Sequence, residues 1–236
     1  MKHLFFDLDH TLWDFDKNSE AALRILYADL NLDEHIRSFQ TFHTTYKKVN
    51  TQLWRAYGKG QVTKEDLRIR RFSKSLHKLG LSDSVLSEQM AEGYVRLSPL
   101  QKNLFPGTTE MLTSLKQDGF RLHIITNGFR EIQEIKLRNT DIRDYFDVVL
   151  CSEEMGKQKP HPLVFQTALE RAGAKKEESI MIGDNLHTDV MGASRAGIQA
   201  ILFDPERVHR QGTHEWHIHH LEEIPDLIPW ISKANQ

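Results

Sequence analysis

Two patterns of apolar and polar positions divide this chain. Leu4-Phe5-Phe6 is an uninterrupted apolar run, the signature of a strand covered on both faces. From about Phe15 to about Lys102 the spacing becomes helical. Ala22, Leu23, Leu26 and Leu30 line one face over residues 19–30. Ile36, Phe39, Phe42, Tyr46, Val49, Leu53 and Trp54 do so over residues 35–57, as one long helix or two. Thr63-Lys64-Glu65-Asp66 has the form of a capping box and predicts a third helix, stopped at Gly80. Leu86, Met90, Tyr94 and Leu97 predict a fourth, ended near Pro99. No strand pattern interrupts this block, so it reads as an all-helical insertion.

Beyond it, strand and helix alternate. Strands are predicted over residues 121–127, 147–152, 179–184 and 199–204, and helices over 108–117, 132–137, 162–172 and 188–196. A short edge strand at 216–218 and a last helix at 221–231 complete the chain. Apolar strands alternating with helices imply a parallel sheet covered on both faces, and right-handed crossovers make it doubly wound. The expectation is an α/β protein: a Rossmann-like core of residues 1–14 and 103–236, with residues 15–102 as the helical insertion.

Composition narrows the functions open to such a fold. The chain has 236 residues, 39% hydrophobic and 27% charged, with a net charge of −2, so no global field recruits a nucleic acid polymer or an anionic membrane. A small anionic ligand would need local positive charge or a metal. The single cysteine, Cys151, excludes an internal disulfide and fits a cytoplasmic protein. An aspartate follows Phe6 too soon for a signal-peptide core, and no apolar run is long enough to span a membrane.

In a doubly wound sheet, ligands bind beyond the carboxyl ends of the strands. Those ends carry polar groups here. Asp7 and Asp9 close the first strand, where two repelling acids are eased by a cation or a proton. Thr126-Asn127-Gly128 offers a hydroxyl and successive N–H groups that can hold a phosphate oxygen, or a plain helix cap. Lys159 stands before Pro160, which stiffens the backbone there; a solvated basic loop is the plainer reading. Asp184 adds a third carboxylate to the rim, and Asp189 lies where a carboxylate suits a helix N-terminus. Clustered carboxylates of this kind suit Mg²⁺.

Taken in order, these strand ends resemble the haloacid dehalogenase superfamily of phosphohydrolases, in the subgroup with a helical cap inserted after the first strand. Its four motifs stand here as Asp7-Leu8-Asp9-His10-Thr11, Thr126, Lys159 before Pro160, and Gly183-Asp184 through Asp189. The stretches Leu12-Trp13-Asp14-Phe15-Asp16, Leu53-Trp54-Arg55-Ala56-Tyr57, Thr126-Asn127-Gly128-Phe129 and Asp144-Tyr145-Phe146-Asp147 are similar to the bacterial pyrimidine 5′-nucleotidases of that superfamily. The resemblance implies a Mg²⁺-dependent phosphomonoesterase acting on a small phosphorylated metabolite, a nucleoside monophosphate in particular. It implies Asp7 as nucleophile, forming an aspartyl-phosphate, and Asp9 as general acid and base with a raised pKa. Mg²⁺ would be held by the Asp7 side chain, the Asp9 carbonyl and Asp184. Thr126, Asn127, Gly128 and Lys159 would hold phosphoryl oxygens, and Asp189 would act on metal waters or position Lys159. The insertion would close over the site, hinged near residues 14–16 and 100–105, with Trp54 and Tyr57 either stacking on a base or packing in the cap core.

Other readings stay open: a sugar-phosphate phosphatase, a mutase, a phosphonate hydrolase using Lys47 or Lys48, a phosphorylation switch, and an inactive binding protein. Two features read as bland. His209, His214, His217, His219 and His220 are expected mostly to face solvent on an edge strand rather than to bind metal. Cys151 ends an apolar run and is expected to be a buried, inert thiol.

Overall fold

A computed structural model describes residues 1–210 and 212–234. The chain forms two compact units, one of Met1–Phe15 with Lys102 onward, the other Asp16–Gln101.

The first unit is built on six strands: β1 (His3–Phe6), β2 (Arg121–Thr126), β3 (Phe146–Cys151), β4 (Ser179–Gly183), β5 (Gln199–Phe203) and β6 (His217–Ile218). Their order is β3-β2-β1-β4-β5-β6, and every pairing is parallel. Phe6 pairs with both Ile124 and Ile182, so β1, β2 and β4 end together. The strand order reverses beside β1, which is where such sheets bind ligands.

Strand side chains alternate between faces, and the two faces bury different residues. Leu4, Phe6, Ile124, Ile182 and Phe203 pack with helices α5 (Thr108–Gln117), α6 (Arg130–Asn139) and α9 (Ile224–Ala234). Phe5, Ile125, Met181 and Leu202 pack with α7 (Pro162–Ala172) and α8 (Met191–Arg195). Each fully buried Phe or Ile contributes about 1.5–3 kcal/mol. Cys151 is buried, and its desolvated thiol is pushed up to about 12, as expected of an inert sulfur.

Two segments depart from the sequence reading. The helix expected over residues 188–196 begins as one turn of π-helix, Leu186–Val190, before α8. Asn185 Oδ1 accepts from the N–H groups of both His187 and Thr188 at 3.0 Å, starting the turn early and wide. The last helix is preceded by a 3₁₀ turn, Leu221–Glu223.

The second unit holds α2 (Phe39–Gly58), α3 (Lys64–Lys78) and α4 (Ser84–Leu97) with most of α1 (Phe15–Asp29). Thr63 and Asp66 form the capping box expected of them. Leu23, Phe42, Tyr46, Phe72, Met90 and Tyr94 make its core. Trp54 and Tyr57 lie outside that core, edge to face at 5.8 Å and partly exposed. At the joint, Trp13 bridges Leu104 antiparallel, and Asp14 donates its N–H to the Asn103 carbonyl at 3.0 Å. No helix among the described residues is long and apolar enough to cross a membrane.

Candidate active site

Asp7 leaves β1 with its N–H bonded to the Ile182 carbonyl, 2.9 Å away, so it is fixed to the neighbouring strand as the sheet ends. The Leu8 carbonyl then accepts from Thr11, Leu12 and Trp13, and His10 sits in the left-handed region at φ 66°. This tight turn returns Thr11 to the rim. Its hydroxyl donates to Asp184 Oδ1 at 3.2 Å and accepts the Asp184 N–H at 3.1 Å. The motif threonine thereby ties the end of β1 to the end of β4.

Lys159 is the positive centre of the rim, with a side chain 2% exposed. Its ammonium lies 2.5 Å from Asp7 Oδ1, 2.8 Å from Asp189 Oδ1 and 2.7 Å from the Ile125 carbonyl. The solvated-loop reading therefore fails for Lys159, whereas Lys157 is exposed. Burial opposes the charge on Lys159, but Asp189 and Asp7 outweigh it and raise its pKa. Asn127 clamps the same lysine from behind: its Oδ1 accepts the Lys159 N–H at 2.8 Å and its Nδ2 donates to the Lys159 carbonyl at 3.1 Å. Asp189 reaches Lys159 because of the wide π turn, and its Oδ2 accepts from the Asn185 N–H at 3.1 Å. A Cβ on Gly183 would collide with the Asp189 carboxylate, which explains the glycine before Asp184.

Carboxylate oxygens of Asp7, Asp184 and Asp189 lie within 4.8 Å of one another. Burial is the main force raising Asp7 to about 7; Lys159 opposes it and Asp189 adds to it. Burial, then Asp189 and Asp7, raise Asp184 well above the usual carboxylate range. An all-oxygen set carrying this much repulsion fits a hard divalent cation.

Thr126 does not cap α6, whose N-cap is Phe129. Its Oγ1 instead accepts the Gly128 N–H at 3.0 Å and the Gln133 amide at 2.7 Å. The plain helix-cap alternative is thus excluded for it. A Cβ on Gly128 would strike the Gln133 side chain.

Asp9 differs from expectation. Gln133 Nε2 donates to Asp9 Oδ2 at 2.7 Å, and the buried Lys136 ammonium pairs with Asp9 Oδ1. Burial alone would raise the pKa of Asp9, but Lys136 and Gln133 outweigh it and lower it. The same ammonium lies 4.0 Å from the centre of the Trp13 ring. Gln133 and Lys136 were not among the residues singled out from sequence. They occupy the buried face of α6 while Ile135 is 40% exposed, so amphipathic spacing conceals them.

A family description, haloacid dehalogenase-like hydrolase, matches residues 1–197, and the chain belongs to that family. Among its relatives are two pyrimidine 5′-nucleotidases. YjjG of Escherichia coli is 31% identical over 95% of this chain and 96% of its own length. PynA of Streptococcus pneumoniae is 30% identical over 96% and 94%. A glyceraldehyde 3-phosphate phosphatase of Methanothermobacter thermautotrophicus is 31% identical over 91% and 90%. The solved structure of the HAD-hydrolase YfnB from Bacillus subtilis, bound to magnesium, superposes with a TM-score of 0.86 at 29% identity, covering 97% of this chain and 98% of that one.

Proposed function

We propose that this phosphomonoester hydrolase is a Mg²⁺-dependent 5′-nucleotidase for nucleoside monophosphates, pyrimidine ones foremost, working through a phosphoryl group carried on Asp7. The observation that carries the chemistry is the placement of Asp7 at the sheet's switch point, 2.5 Å from the buried Lys159 ammonium and beside Asp184. The substrate class rests on likeness to YjjG and PynA across nearly the whole chain.

In the first step an Asp7 oxygen forms a bond to phosphorus as the ester P–O bond breaks, and Asp9 gives the departing oxygen a proton. In the second, Asp9 takes a proton from water, which attacks phosphorus and releases Asp7. As positioned, Asp9 is ionised, so before the first step its carboxyl parts from Lys136 and takes up a proton from solvent; the second step then restores that proton from the attacking water. Lys159, the Asn127 N–H group and the Thr126 hydroxyl hold the equatorial oxygens, while the Gly128 N–H, bonded to Thr126 Oγ1, fixes that hydroxyl in place. The Asp7 and Asp184 carboxylates and the Asp9 carbonyl would hold Mg²⁺, whose charge offsets that of the phosphate and the nucleophile. Asp189 keeps Lys159 in place.

The matching phosphatase from M. thermautotrophicus supports a second reading, a sugar-phosphate phosphatase of the same mechanism. A phosphonate hydrolase fits less well, because Lys47 is about half exposed and paired with Asp16 at 2.8 Å, with nothing to desolvate it into a nucleophile. The test is kcat/KM on a panel of pyrimidine and purine monophosphates and sugar phosphates with Mg²⁺. The reading expects the pyrimidine monophosphates to lead by at least about tenfold, a difference of ~1.4 kcal/mol in the barrier. A lead for triose phosphates would replace it with the second reading.

A further inference from the structure

At the outer edge of the sheet, past the carboxyl end of β5, a second group of ligating side chains converges. β5 ends at Phe203, and the chain continues into Asp204. Leu202 is opposite His217, Phe203 opposite Ile218, and the Asp204 N–H donates to the Ile218 carbonyl at 2.9 Å, so the next step of the register sets His219 alongside Asp204. Ile218 is fully buried in the core. His217 and His219, one residue to either side, therefore share the opposite face. Their rings lie 4.9 Å apart. A carboxylate oxygen of Asp204 and one ring nitrogen of each histidine lie within 4.8 Å of one another.

We infer that Asp204, His217 and His219 form a binding site for a transition-metal ion of the zinc class, separate from the carboxylate rim. Two imidazoles and one carboxylate suit Zn²⁺ and its neighbours, whereas Mg²⁺ prefers oxygen alone. The ligands are held before any ion arrives. The Asp204 carboxylate, in a residue 3% exposed, accepts the Val208 N–H on Oδ1 and the His209 N–H on Oδ2, each at 2.9 Å. Burial opposes its charge, but the His209 and Val208 N–H groups and His217 outweigh it and hold its pKa below the usual range.

The histidines are oriented as well. His219 Nδ1 faces the Asp204 carbonyl at 2.7 Å. A carbonyl oxygen only accepts, so Nδ1 carries the proton and Nε2 keeps its lone pair. A bond of this kind is the usual second contact of a ligating histidine. The His217 side chain is 7% exposed, with Nε2 3.1 Å from Asp204 Oδ2. A divalent ion takes the place between them, and a neutral His217 ring that ligates through Nε2 carries its proton on Nδ1 instead. The expectation of solvent-facing histidines fails for His217 because the Asp204 carboxylate draws it inward.

The site has a structural use. β6 has two residues and pairs only through its short register with β5. An ion bound to Asp204, His217 and His219 would pin β6 to the end of β5.

The experiment uses the full chain, stripped with chelator and resupplied with saturating Mg²⁺, then titrated with Zn²⁺ by calorimetry and metal analysis. The inference expects one equivalent of tightly bound Zn²⁺ and a raised thermal midpoint. His217→Gln and His219→Gln should each weaken that equivalent by at least about 100-fold while Mg²⁺-dependent phosphatase activity persists. Asp184→Asn should leave it bound. X-ray absorption of the zinc-loaded wild type, which does not depend on any variant folding, should show two imidazoles at about 2.0–2.1 Å. An oxygen-only shell, the absence of a zinc equivalent under Mg²⁺, or a stoichiometry unchanged in both histidine variants would overturn the site.

Discussion

The Lys136 ammonium rests against the Asp9 carboxylate, on the side of α6 that faces the rim. This pairing keeps Asp9 ionised and anchored, with Gln133 as a second tether running on to Thr126. Lys136→Met removes the partner and leaves a desolvated carboxylate. We expect a stability loss of about 2 kcal/mol, below the ~3–5 kcal/mol of a fully buried broken pair because Asp9 is 23% exposed. We also expect kcat to fall by about 10²-fold on alkyl phosphates, not through the charge of Asp9 but because its carboxyl loses the anchor that holds it at the rim for proton transfer, general acid–base catalysis being typically worth ~10²–10⁴. Aryl phosphates, whose leaving groups need no proton, should lose far less. Steady-state kinetics on both substrate types, with urea unfolding alongside, checks this; equal losses would detach Lys136 from proton transfer.

Crowding of Asp7, Asp184 and Asp189 predicts a metal-linked stability. Adding Mg²⁺ at about 100 times its Kd should stabilise the fold by ~2.7 kcal/mol, and chelation should reverse it. Asp184→Asn should abolish most of that shift, because one of the carboxylates that would hold the cation is gone. Thermal unfolding with and without Mg²⁺ for both proteins is the measurement. A shift of the same size in Asp184→Asn would place the cation elsewhere.

A buried histidine pair contributes to the acid limb of stability. His3 Nδ1 and His123 Nε2 lie 3.1 Å apart with their rings stacked, and the His123 ring lies tilted beside Phe5. Burial, then the neighbouring His3, lowers His123 to about 4, and burial chiefly lowers His3 as well. In the unfolded chain a histidine titrates near 6.5. Between pH 6.5 and about 4 the unfolded chain therefore takes up a proton that folded His123 refuses. The stability His123 contributes is complete above pH 6.5 and is lost as the pH falls toward 4, with a slope of at most ~1.4 kcal/mol per pH unit for one such group. His123→Leu should flatten this limb in urea melts from pH 7 to 4. An unchanged slope would mean that His123 is charged in the fold.

The rim was legible because strand ends announce themselves: an apolar run breaks at Asp7, at Thr126 and at Asp184. The doubly wound sheet followed from crossover handedness, whereas the order of its strands came from the structure. What escaped were contacts that cross the sequence without a pattern. Gln133 and Lys136 read as the polar side of a helix, yet α6 turns them toward Asp9 and leaves Ile135 outside. The π turn at Leu186–Val190 has no apolar spacing to betray it; the Asn185 side chain caps its start. Asn127 looked like a source of N–H groups, and its side chain proves to be the clamp on Lys159. The raised pKa expected of Asp9 rested on burial alone, and the lysine across the site reverses it.

The central claim is that Asp7 carries the phosphoryl group. Single-turnover reactions quenched in acid and digested for mass spectrometry test it most directly. A phosphoryl group should appear transiently on the peptide bearing Asp7. In ¹⁸O-water the label should enter phosphate and not the Asp7 carboxyl, because water attacks phosphorus. Asp7→Asn should remain folded and give neither adduct nor turnover, a loss of at least ~10⁴-fold. Turnover retained in Asp7→Asn with no adduct on the wild-type peptide would contradict the account.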